Sequence, residues 1–357
     1  MTRPETLFCP RCARAFRGGE EACTFDGARL TRRFLDFIPH KSSRQTGAIL
    51  GERYKLAGEI DRGATARIYL AEDLFDPKPV VVKVLEPRLA DDAKKRERFM
   101  REAEAAKIVD HPNVADAFFI GTRGDGTPFF VMEFLFGESL GARLRREPKL
   151  DEKIVLRIAL DVAAGLDAAH DACVFHRDIK PDNLFLVGEI GDHYTVKIVD
   201  FGYAKAGDTS ITGGGMVIGT AEYMAPEQCL SDPVDGRADI YALGAVMYRA
   251  LTGELLVSAD APMDVRLAEQ VTMHPLPPEE VSPALAIALR CLRKEPEARY
   301  ESAAELIGDL RRALDGKPTA ASQNDADPPY QPRTDLAREV YAIFVRRLRE
   351  ARGGRTA

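Results

Sequence analysis

Two carboxylates and an amide lie close together in the sequence, in His176-Arg-Asp-Ile-Lys-Pro-Asp-Asn183 and in Asp200-Phe-Gly202. Phosphoryl transfer asks for little covalent chemistry from a protein, but it needs an in-line nucleophile and cations held against the phosphate oxygens. Asp178 can orient a hydroxyl and take its proton, whereas Asn183 and Asp200 offer the hard oxygen ligands that Mg²⁺ prefers. These residue types therefore suit magnesium-dependent phosphoryl transfer.

These stretches, followed by Ala225-Pro-Glu227, resemble in kind and order the catalytic segments of the eukaryotic-like (Hanks-type) protein kinases, in particular the bacterial Ser/Thr members. The resemblance covers about residues 51–315. It implies an α+β bilobal fold with a small β-rich N-lobe and a larger helical C-lobe, and it implies ATP and Mg²⁺, or Mn²⁺ in its place, as cofactors. The implied site residues are the catalytic base Asp178, the phosphate contact Lys180 and the metal ligands Asn183 and Asp200.

The same resemblance assigns the nucleotide to residues upstream. Lys83, at the end of Val80-Val-Val-Lys, matches the phosphate-binding lysine of the family, and Glu102 is its expected partner. Breaking such a pair switches a kinase off. Residues 133–138 match the hinge between the lobes. The ATP-binding residues implied are Ile60, Gly63, Ile68, Val81, Lys83, Met132, Glu133 and Leu135.

The loop expected to cover the phosphates departs from the Gly-x-Gly-x-x-Gly pattern of the family, because Asp61, Gly63 and Ala66 occupy the three glycine positions. Gly63 keeps the close approach of backbone to phosphate that glycine permits. Asp61 instead places a carboxylate near the negative charge of the nucleotide, which would weaken binding. Two hypotheses follow: an active kinase, or a catalytically weak or dead scaffold that binds ATP and a partner.

The resemblance also indicates the acceptor and the mode of activation. Thr220 matches the substrate-facing threonine of the family and, with Lys180, favours Ser or Thr hydroxyls as acceptors. Arg177 precedes the catalytic aspartate, as in kinases that are activated by phosphorylation of the activation loop. The candidate phosphorylation sites there are Thr212, Thr209 and Ser210.

Three more matches are structural. Asp239, in Asp239-Ile-Tyr-Ala-Leu-Gly, resembles the buried aspartate that anchors the catalytic loop. Glu227 and Arg299 resemble the ion pair that fixes the end of the activation segment. These residues would shape the site without touching a substrate.

The elements that must position these residues follow from the hydrophobic pattern. Residues 54–84 and 115–133 alternate apolar and polar side chains and contain β-branched runs, which predicts strands. Residues 91–109 predict a charged helix with one apolar stripe. Helices dominate after about residue 150, the first of them with Asp151 at its N-cap. The pattern predicts an N-lobe over 51–132 and a C-lobe over 139–315, with any ligand between them.

The first 30 residues carry a cluster of cysteines, which predicts a zinc-ribbon-like module. So short a segment with few apolar side chains could hardly fold without a metal. A disordered leader and a redox CxxC are the alternatives. The expected zinc ligands are Cys9, Cys12, Cys23 and Asp26, the last an unusual oxygen donor in a structural site.

The remaining segments flank the kinase-like region. Residues 31–50 are a mixed connector, and residues 316–333, rich in Pro, Asp, Ser and Ala, predict a flexible linker. Residues 334–352 predict an amphipathic helix with Arg on its polar face. Such a helix could bind a membrane surface or a partner protein, and docking on its own kinase domain is the alternative.

The composition is that of a globular protein, with 45% hydrophobic and 30% charged residues. No apolar run approaches the ~18 residues of a membrane span, and residues 1–8 lack the apolar core of a signal peptide, so we expect a cytoplasmic protein. The net charge of −6 gives no sign of nucleic-acid binding. We predict a protein Ser/Thr kinase with protein substrates. A zinc-mediated adaptor with a secondary kinase domain stays open.

Overall fold

The computed structural model describes most of the chain in two compact units. The described residues are 7–8, 15–16, 21–24, 27, 29–30, 41–76, 78–188, 194–201, 221–258, 260–275, 280–322 and 329–353. The strand-rich unit comprises Met1–Asp110, Val114–Glu138 and Leu186–Thr195. The helical unit comprises His111–Asn113, Ser139–Phe185 and Val196–Ala357.

Two small hairpins lie near the N-terminus. Strand β1 (Leu7–Phe8) pairs antiparallel with β2 (Ala15–Phe16). A second hairpin is closed by an antiparallel bridge between Ala22 and Arg29, and Cys23 inside it is buried. Antiparallel pairings therefore occur at two places in the stretch predicted to bind zinc.

A six-stranded antiparallel sheet forms most of the strand-rich unit. Its strands are β3 (Ile49–Leu50), β4 (Tyr54–Arg62), β5 (Ala66–Asp73), β6 (Pro79–Leu85), β7 (Ala117–Thr122) and β8 (Pro128–Glu133). They lie side by side in the order β3-β4-β5-β6-β8-β7. All but β3 fall within the stretches for which alternation predicts strands. Helix α1 (Ala93–Ile108) starts after Asp92, whose side chain accepts the amide of Lys95 at 3.1 Å.

One face of this sheet is covered by a hydrophobic core. Neighbouring strands place their paired residues on the same face, so the register decides which side chains meet. The core consists of Leu50, Tyr54, Leu56, Tyr69, Ala71, Val80, Val82, Val84, Phe129 and Val131. The side chains between them along β5, β6 and β8 belong to the opposite face.

Residues 41–50, predicted as a connector, extend the sheet at its edge. β3 pairs with the start of β4, and Lys41 exchanges two backbone hydrogen bonds with Glu59, at 2.8 and 2.9 Å. The last part of the connector is thus held along β4.

The other regular elements among the described residues are three short strands, eight α-helices and several short 3₁₀ turns. The strands are β9 (Gly137–Ser139), β10 (Leu184–Val187) and β11 (Thr195–Ile198). The helices are α2 (Leu140–Arg146), α3 (Glu152–Asp171), α4 (Pro226–Cys229), α5 (Arg237–Thr252), α6 (Met263–Thr272), α7 (Pro283–Cys291), α8 (Ala303–Leu314) and α9 (Asp335–Gly353). Helix α3 packs against α5 and α8, and α5 packs against α7. The Asp151 side chain accepts the amide of Lys153 at 2.9 Å and caps α3, as its position predicts.

The described parts of the predicted flexible linker are held in place. The amides of Ala320 and Ala321 donate to the buried carboxylate of Asp309, at 2.9 and 3.1 Å. Tyr330 is 2% exposed. Composition alone predicts flexibility because Pro, Asp, Ser and Ala are frequent in this stretch, but its anchoring groups find partners outside it, at Asp309 and at Asp232. Residues 323–328 lie outside the described residues.

Among the described residues, no helix is long and apolar enough to cross a membrane. The apolar residues of α9 that are buried, Ala337, Val340 and Phe344, share a cluster with residues of α4 and α6.

Two helical glycines provide a matched test of this packing. A Cβ at Gly244 in α5 would lie 2.5 Å from Cβ of Cys291, whereas a Cβ at Gly308 in α8 has its nearest neighbour at 4.0 Å. We expect Gly244→Ala to lower the free energy of unfolding by about 1–3 kcal/mol through overpacking. We expect Gly308→Ala to raise it by about 0.5–1 kcal/mol. Denaturant unfolding of both variants measures this, and equal effects would contradict the packing of α5 on α7.

Candidate active site

A buried aspartate fixes the loop that carries the candidate catalytic residues. Asp239, at the start of α5, is 1% exposed. Its carboxylate accepts the backbone amides of His176 at 2.9 Å and Arg177 at 2.7 Å, and it lies 2.9 Å from Nε2 of His170. Burial alone would raise the pKa of Asp239, but the hydrogen bond and the charge interaction with His170, together with the backbone donors, hold that pKa below its usual value. The anchor is therefore an ionised carboxylate.

His176 links this loop to the strand end that precedes Asp200. The amide of Asp178 donates to Nδ1 of His176 at 3.2 Å, so Nδ1 carries no proton. The proton is on Nε2, which donates to the carbonyl of Val199 at 3.0 Å. The fully buried imidazole is thus neutral and bridges two segments of the helical unit.

Asp178 is flanked by a cation and an amide. Nζ of Lys180 lies 2.9 Å from Oδ2 of Asp178, and Nδ2 of Asn183 donates to the Asp178 carbonyl at 2.8 Å. Because the amide nitrogen of Asn183 is used in this way, its amide oxygen is left to act as a metal ligand. The three side chains come from one short stretch, since a 3₁₀ turn at Pro181–Asn183 brings Asn183 back toward Asp178.

Asp200 is held beside Asn183 by the backbone. The amide of Val199 donates to the Asn183 carbonyl at 3.0 Å. Asp200 has a φ of 59°, an uncommon left-handed conformation for a residue other than glycine, and Phe201 packs its ring 4.8 Å from that of His176. Strained backbone of this kind persists where the surroundings enforce it. The structure thus brings Asp178, Lys180, Asn183 and Asp200 into one region of the helical unit.

Glu227 and Arg299 form a buried, two-pronged ion pair. Their nitrogen and oxygen atoms lie 2.7 and 2.8 Å apart, and the side chains are 2% and 0% exposed. Burial alone would lower the pKa of Arg299, but the charge and hydrogen bonds of Glu227 raise it. Arg299 also donates from Nε to the Arg293 carbonyl at 2.8 Å. This arrangement fixes the start of α4 to the turn before α8.

In the strand-rich unit, Lys83 on β6 meets Glu102 on α1. Nζ of Lys83 lies 2.6 Å from Oε1 of Glu102. Lys83 is 8% exposed and its ammonium lies 5.8 Å from the ring centre of Phe130. The pair that the resemblance implies is therefore formed, and it ties α1 to the sheet.

The sheet register places the other nucleotide candidates on the face that carries Lys83. Ile68 pairs with Lys83, and Val81 pairs with Met132, so these four side chains lie on the face opposite the core. A register shift between Glu59 and Asp61 surrounds Ile60, which packs against Leu70. Glu133 and Leu135 follow at the end of β8 and are half-buried.

The loop with the altered glycine pattern is the turn of the β4–β5 hairpin. Asp61 is exposed and accepts the amide of Arg62 at 2.7 Å. The amide of Gly63 donates to the Ala66 carbonyl at 2.9 Å. A Cβ at Gly63 would meet that oxygen at an ordinary 3.6 Å, so the described fold does not require glycine there. Ala66 is buried.

Several predicted site residues cannot be placed. Thr209, Ser210, Thr212 and Thr220 lie outside the described residues, as do Cys9, Cys12 and Asp26. Of the predicted zinc ligands, Cys23 is described, and no cluster of three or more His, Cys, Asp or Glu side chains with metal-site spacing occurs within the described ranges.

One positioning residue was missed by the analysis of the sequence. His170, the next-to-last residue of α3, belongs to none of the motifs, but its imidazole contacts Asp239. The sequence signal is its position six residues before His176. At that spacing the end of a helix and the loop that follows it can both contact one carboxylate.

The fold and this geometry agree with a comparison against protein families. The protein kinase domain model matches residues 54–309, so the chain belongs to the protein kinase family. Bacterial serine/threonine-protein kinases are among its relatives. Serine/threonine-protein kinase PknB of Mycobacterium leprae is 37% identical over 290 residues, which are 78% of this chain and 46% of that protein. Serine/threonine-protein kinase pkn3 of Myxococcus xanthus is 35% identical over 298 residues, 78% of this chain and 54% of that one.

Solved structures give the same fold. The crystal structure of the Mycobacterium tuberculosis PknI kinase domain aligns with a TM-score of 0.58 at 25% identity, covering 77% of this chain and all of that chain. The chain spans about half the length of the curated relatives it matches. These comparisons identify a protein kinase domain related to bacterial Ser/Thr kinases.

The role of Asp239 can be tested by one substitution. We expect Asp239→Asn to lower the free energy of unfolding by about 2–5 kcal/mol, because an amide cannot accept from all three nitrogen donors and leaves buried groups unpaired. Asp171→Asn, at an exposed position at the end of α3, is the control and should change it by less than about 0.5 kcal/mol. Equal small losses in denaturant unfolding would contradict the anchoring role.

Proposed function

We propose that this protein is a Mg²⁺- and ATP-dependent serine/threonine protein kinase. The observation that carries the proposal is the grouping of four side chains. Asp178, Lys180 and Asn183 lie on a loop that the buried Asp239 fixes, and Asp200 follows a strand end that is hydrogen-bonded to that loop. Membership of the protein kinase family supports it.

The helical unit supplies the transfer chemistry in this proposal. Asp178 orients the acceptor hydroxyl and takes its proton, while the ammonium of Lys180 lies next to it to contact the transferred phosphate. The oxygens of Asn183 and Asp200 would hold the magnesium. Bound Mg²⁺ neutralises the charge of the phosphates. Because Asn183 is already oriented by Asp178, this site needs little rearrangement.

The strand-rich unit supplies the nucleotide contacts. Lys83, held by Glu102, places its ammonium on the phosphates, and the backbone at Gly63 approaches them closely. Apolar side chains on the same face of the sheet pack on the adenine, and the main chain of the residues after β8 binds its edge. The proposed adenine contacts are Ile60, Ile68, Val81, Met132, Glu133 and Leu135.

We further propose activation by autophosphorylation of the activation loop, at Thr212, Thr209 or Ser210. Nε of Arg177 is buried and has no hydrogen-bond partner among the described groups. A buried donor without a partner costs free energy, and a phosphate is the acceptor that best matches a guanidinium. Phosphorylation would therefore satisfy Arg177 and order the loop around the catalytic residues.

A second candidate function is a scaffold that binds ATP without transferring its phosphate. The observation in its favour is Asp61, whose exposed carboxylate stands at the first glycine position of the hairpin turn. At a few ångströms, repulsion of a phosphate by this charge amounts to about 1 kcal/mol in water. Such a cost weakens nucleotide binding without removing any catalytic group.

Transfer of radiolabel from γ-labelled ATP with Mg²⁺ tests the main proposal. We expect the wild-type chain to label itself on Ser or Thr, and mass spectrometry to place the phosphate among residues 209–212. Asp178→Asn and Asp200→Asn should each lower the rate by about a hundredfold or more, because each removes a group that acts on the reacting atoms.

The control for this experiment is Asp182→Asn, on the same loop. Asp182 is exposed and pairs with Arg145 at 3.2 Å, so its loss should leave the rate within about twofold of wild type. If neither the chain nor an added protein substrate is labelled, while ATP binding persists and is lost in Lys83→Met, the scaffold is the function and the kinase proposal fails.

We also propose that residues 1–30 bind zinc through Cys9, Cys12, Cys23 and Asp26. Cys9 and Cys12 belong to the segment that joins the paired strands β1 and β2. Cys23 and Asp26 fall between the bridged residues Ala22 and Arg29. Each pair of proposed ligands thus falls, in sequence, between residues that pair antiparallel, and four such ligands complete one tetrahedral site.

Elemental analysis of the purified full chain tests the zinc proposal. We expect stoichiometric zinc in the wild type and a loss of more than about 90% in Cys12→Ser, because a tetrahedral structural site does not tolerate loss of a thiolate. Cys173→Ser, at an exposed cysteine of the helical unit, should retain the metal. Absence of zinc from the wild type, or retention in Cys12→Ser, would rule the module out as a zinc site.

A further inference from the structure

The chain continues past the protein kinase match, and its last described segment returns to the helical unit. The match ends at residue 309. We call residues 329–353 the tail, and residues 221–232 the anchor segment. The anchor segment directly follows Thr220, the residue matched to the substrate-facing position of the family. All contacts between tail and anchor segment lie within the helical unit.

The tail completes an apolar core under the anchor segment. Phe344 is 2% exposed and Ala337 is fully buried. They belong to one cluster with α6 and the anchor segment. Its buried members are Ala221, Met224, Cys229, Leu230, Leu267, Ala268, Val271, Tyr330, Ala337, Val340 and Phe344. Without the tail, this apolar surface of the anchor segment would face water.

Four hydrogen bonds tie the start of the tail to one carboxylate of the anchor segment. Asp232, 5% exposed, accepts the Tyr330 hydroxyl at 2.8 Å and the Arg333 amide at 2.9 Å. It also accepts the amide and the hydroxyl of Thr334, at 3.0 and 2.9 Å. Oγ1 of Thr334 in turn accepts the amide of Ala337 and so caps α9. A buried carboxylate with four donors is a built site for the tail, unlike a chance surface contact.

Arg333 of the tail forms a second connection, to two acidic residues outside the anchor segment. Arg333 pairs with Glu297 at 2.5 Å and with Glu295 at 3.4 Å. These acids lie just before Arg299, which forms the buried pair with Glu227 of the anchor segment. The amide of Asp232 also donates to the Glu227 carbonyl at 2.9 Å. The tail thus contacts both sides of the arrangement that holds the anchor segment.

We propose that the tail positions the anchor segment, and with it the loop that faces a protein substrate. This inference rests on the proposed kinase function and adds the tail to its substrate-binding machinery. Asp232, Tyr330 and Thr334 are positioning residues in this account, because they act through the anchor segment and touch no substrate. The contacts given above for these residues all lie within the helical unit.

The test compares the full chain with a chain that ends at residue 328. Removal of the tail should raise the hydrogen-exchange rate of amides in residues 221–232 by about tenfold or more, the change that 1.4 kcal/mol produces. It should raise KM for a protein substrate by a similar factor and leave KM for ATP within about twofold. Adding a synthetic peptide of residues 329–353 should reverse both changes.

A milder variant keeps the test decisive if the shortened chain does not fold. Tyr330→Phe combined with Thr334→Val removes hydroxyl donors to Asp232 and keeps the apolar contacts. It should show the same split between the two KM values, in smaller degree. Ile343→Ser, on the exposed side of α9, is the control and should behave as wild type.

Unchanged exchange in residues 221–232 together with an unchanged KM for the protein substrate would overturn the proposal. Faster phosphorylation by the shortened chain would also overturn it and make the tail a brake. If no form of the chain transfers phosphate, the kinase function fails separately, and exchange in the anchor segment alone decides whether the tail holds it.

Discussion

A single buried charge organises the catalytic half of this protein. Asp239 is 1% exposed. Its carboxylate stays ionised because three nitrogen donors from two segments lie within hydrogen-bond distance of it. An ionised carboxylate in the interior is tolerated when it is fully paired, and it then fixes the groups that pair with it. The turn at His176 and Arg177 directs both of their backbone amides to this carboxylate, and Arg177 adopts a left-handed φ of 62° in that turn. The placement of Asp178 depends on that turn.

The same principle recurs in the anchor segment. There, Glu227 is paired with Arg299 and Asp232 receives four donors from the tail. Both carboxylates lie in the anchor segment, and both are satisfied by residues distant in sequence. The loop of the candidate base is thus fixed by one buried acid, and the anchor segment is fixed by two buried acids of its own. Phosphoryl transfer requires these segments to keep a fixed geometry. Buried acids whose hydrogen bonds are all made are well suited to fix it.

Much of this arrangement could be predicted from the sequence, because it is local or carried by motifs. Asp178, Lys180 and Asn183 lie within six residues, so their proximity needs no knowledge of the fold. Lys83 and Glu102 were expected to pair because the family motif links them, and they do. The tail contacts were not predictable in the same way. Tyr330 and Asp232 are 98 residues apart, and the stretch around Tyr330 has the composition of a flexible linker. Such a hydrogen bond depends on the path of the intervening helices. The hydrophobic periodicity of the sequence does not predict that path.

The most direct test of the account is to ask which phosphate of ATP moves. The chain would be incubated with Mg²⁺ and with ATP labelled at either the γ- or the α-phosphorus. The labelled protein would then be hydrolysed to its amino acids. Asp178 as base and Asn183 and Asp200 as metal ligands predict label from γ-labelled ATP alone, recovered as phosphoserine or phosphothreonine. Label from the α-phosphorus would mean transfer of a nucleotidyl group. That result, or no label from either nucleotide, would contradict the proposed Ser/Thr kinase function.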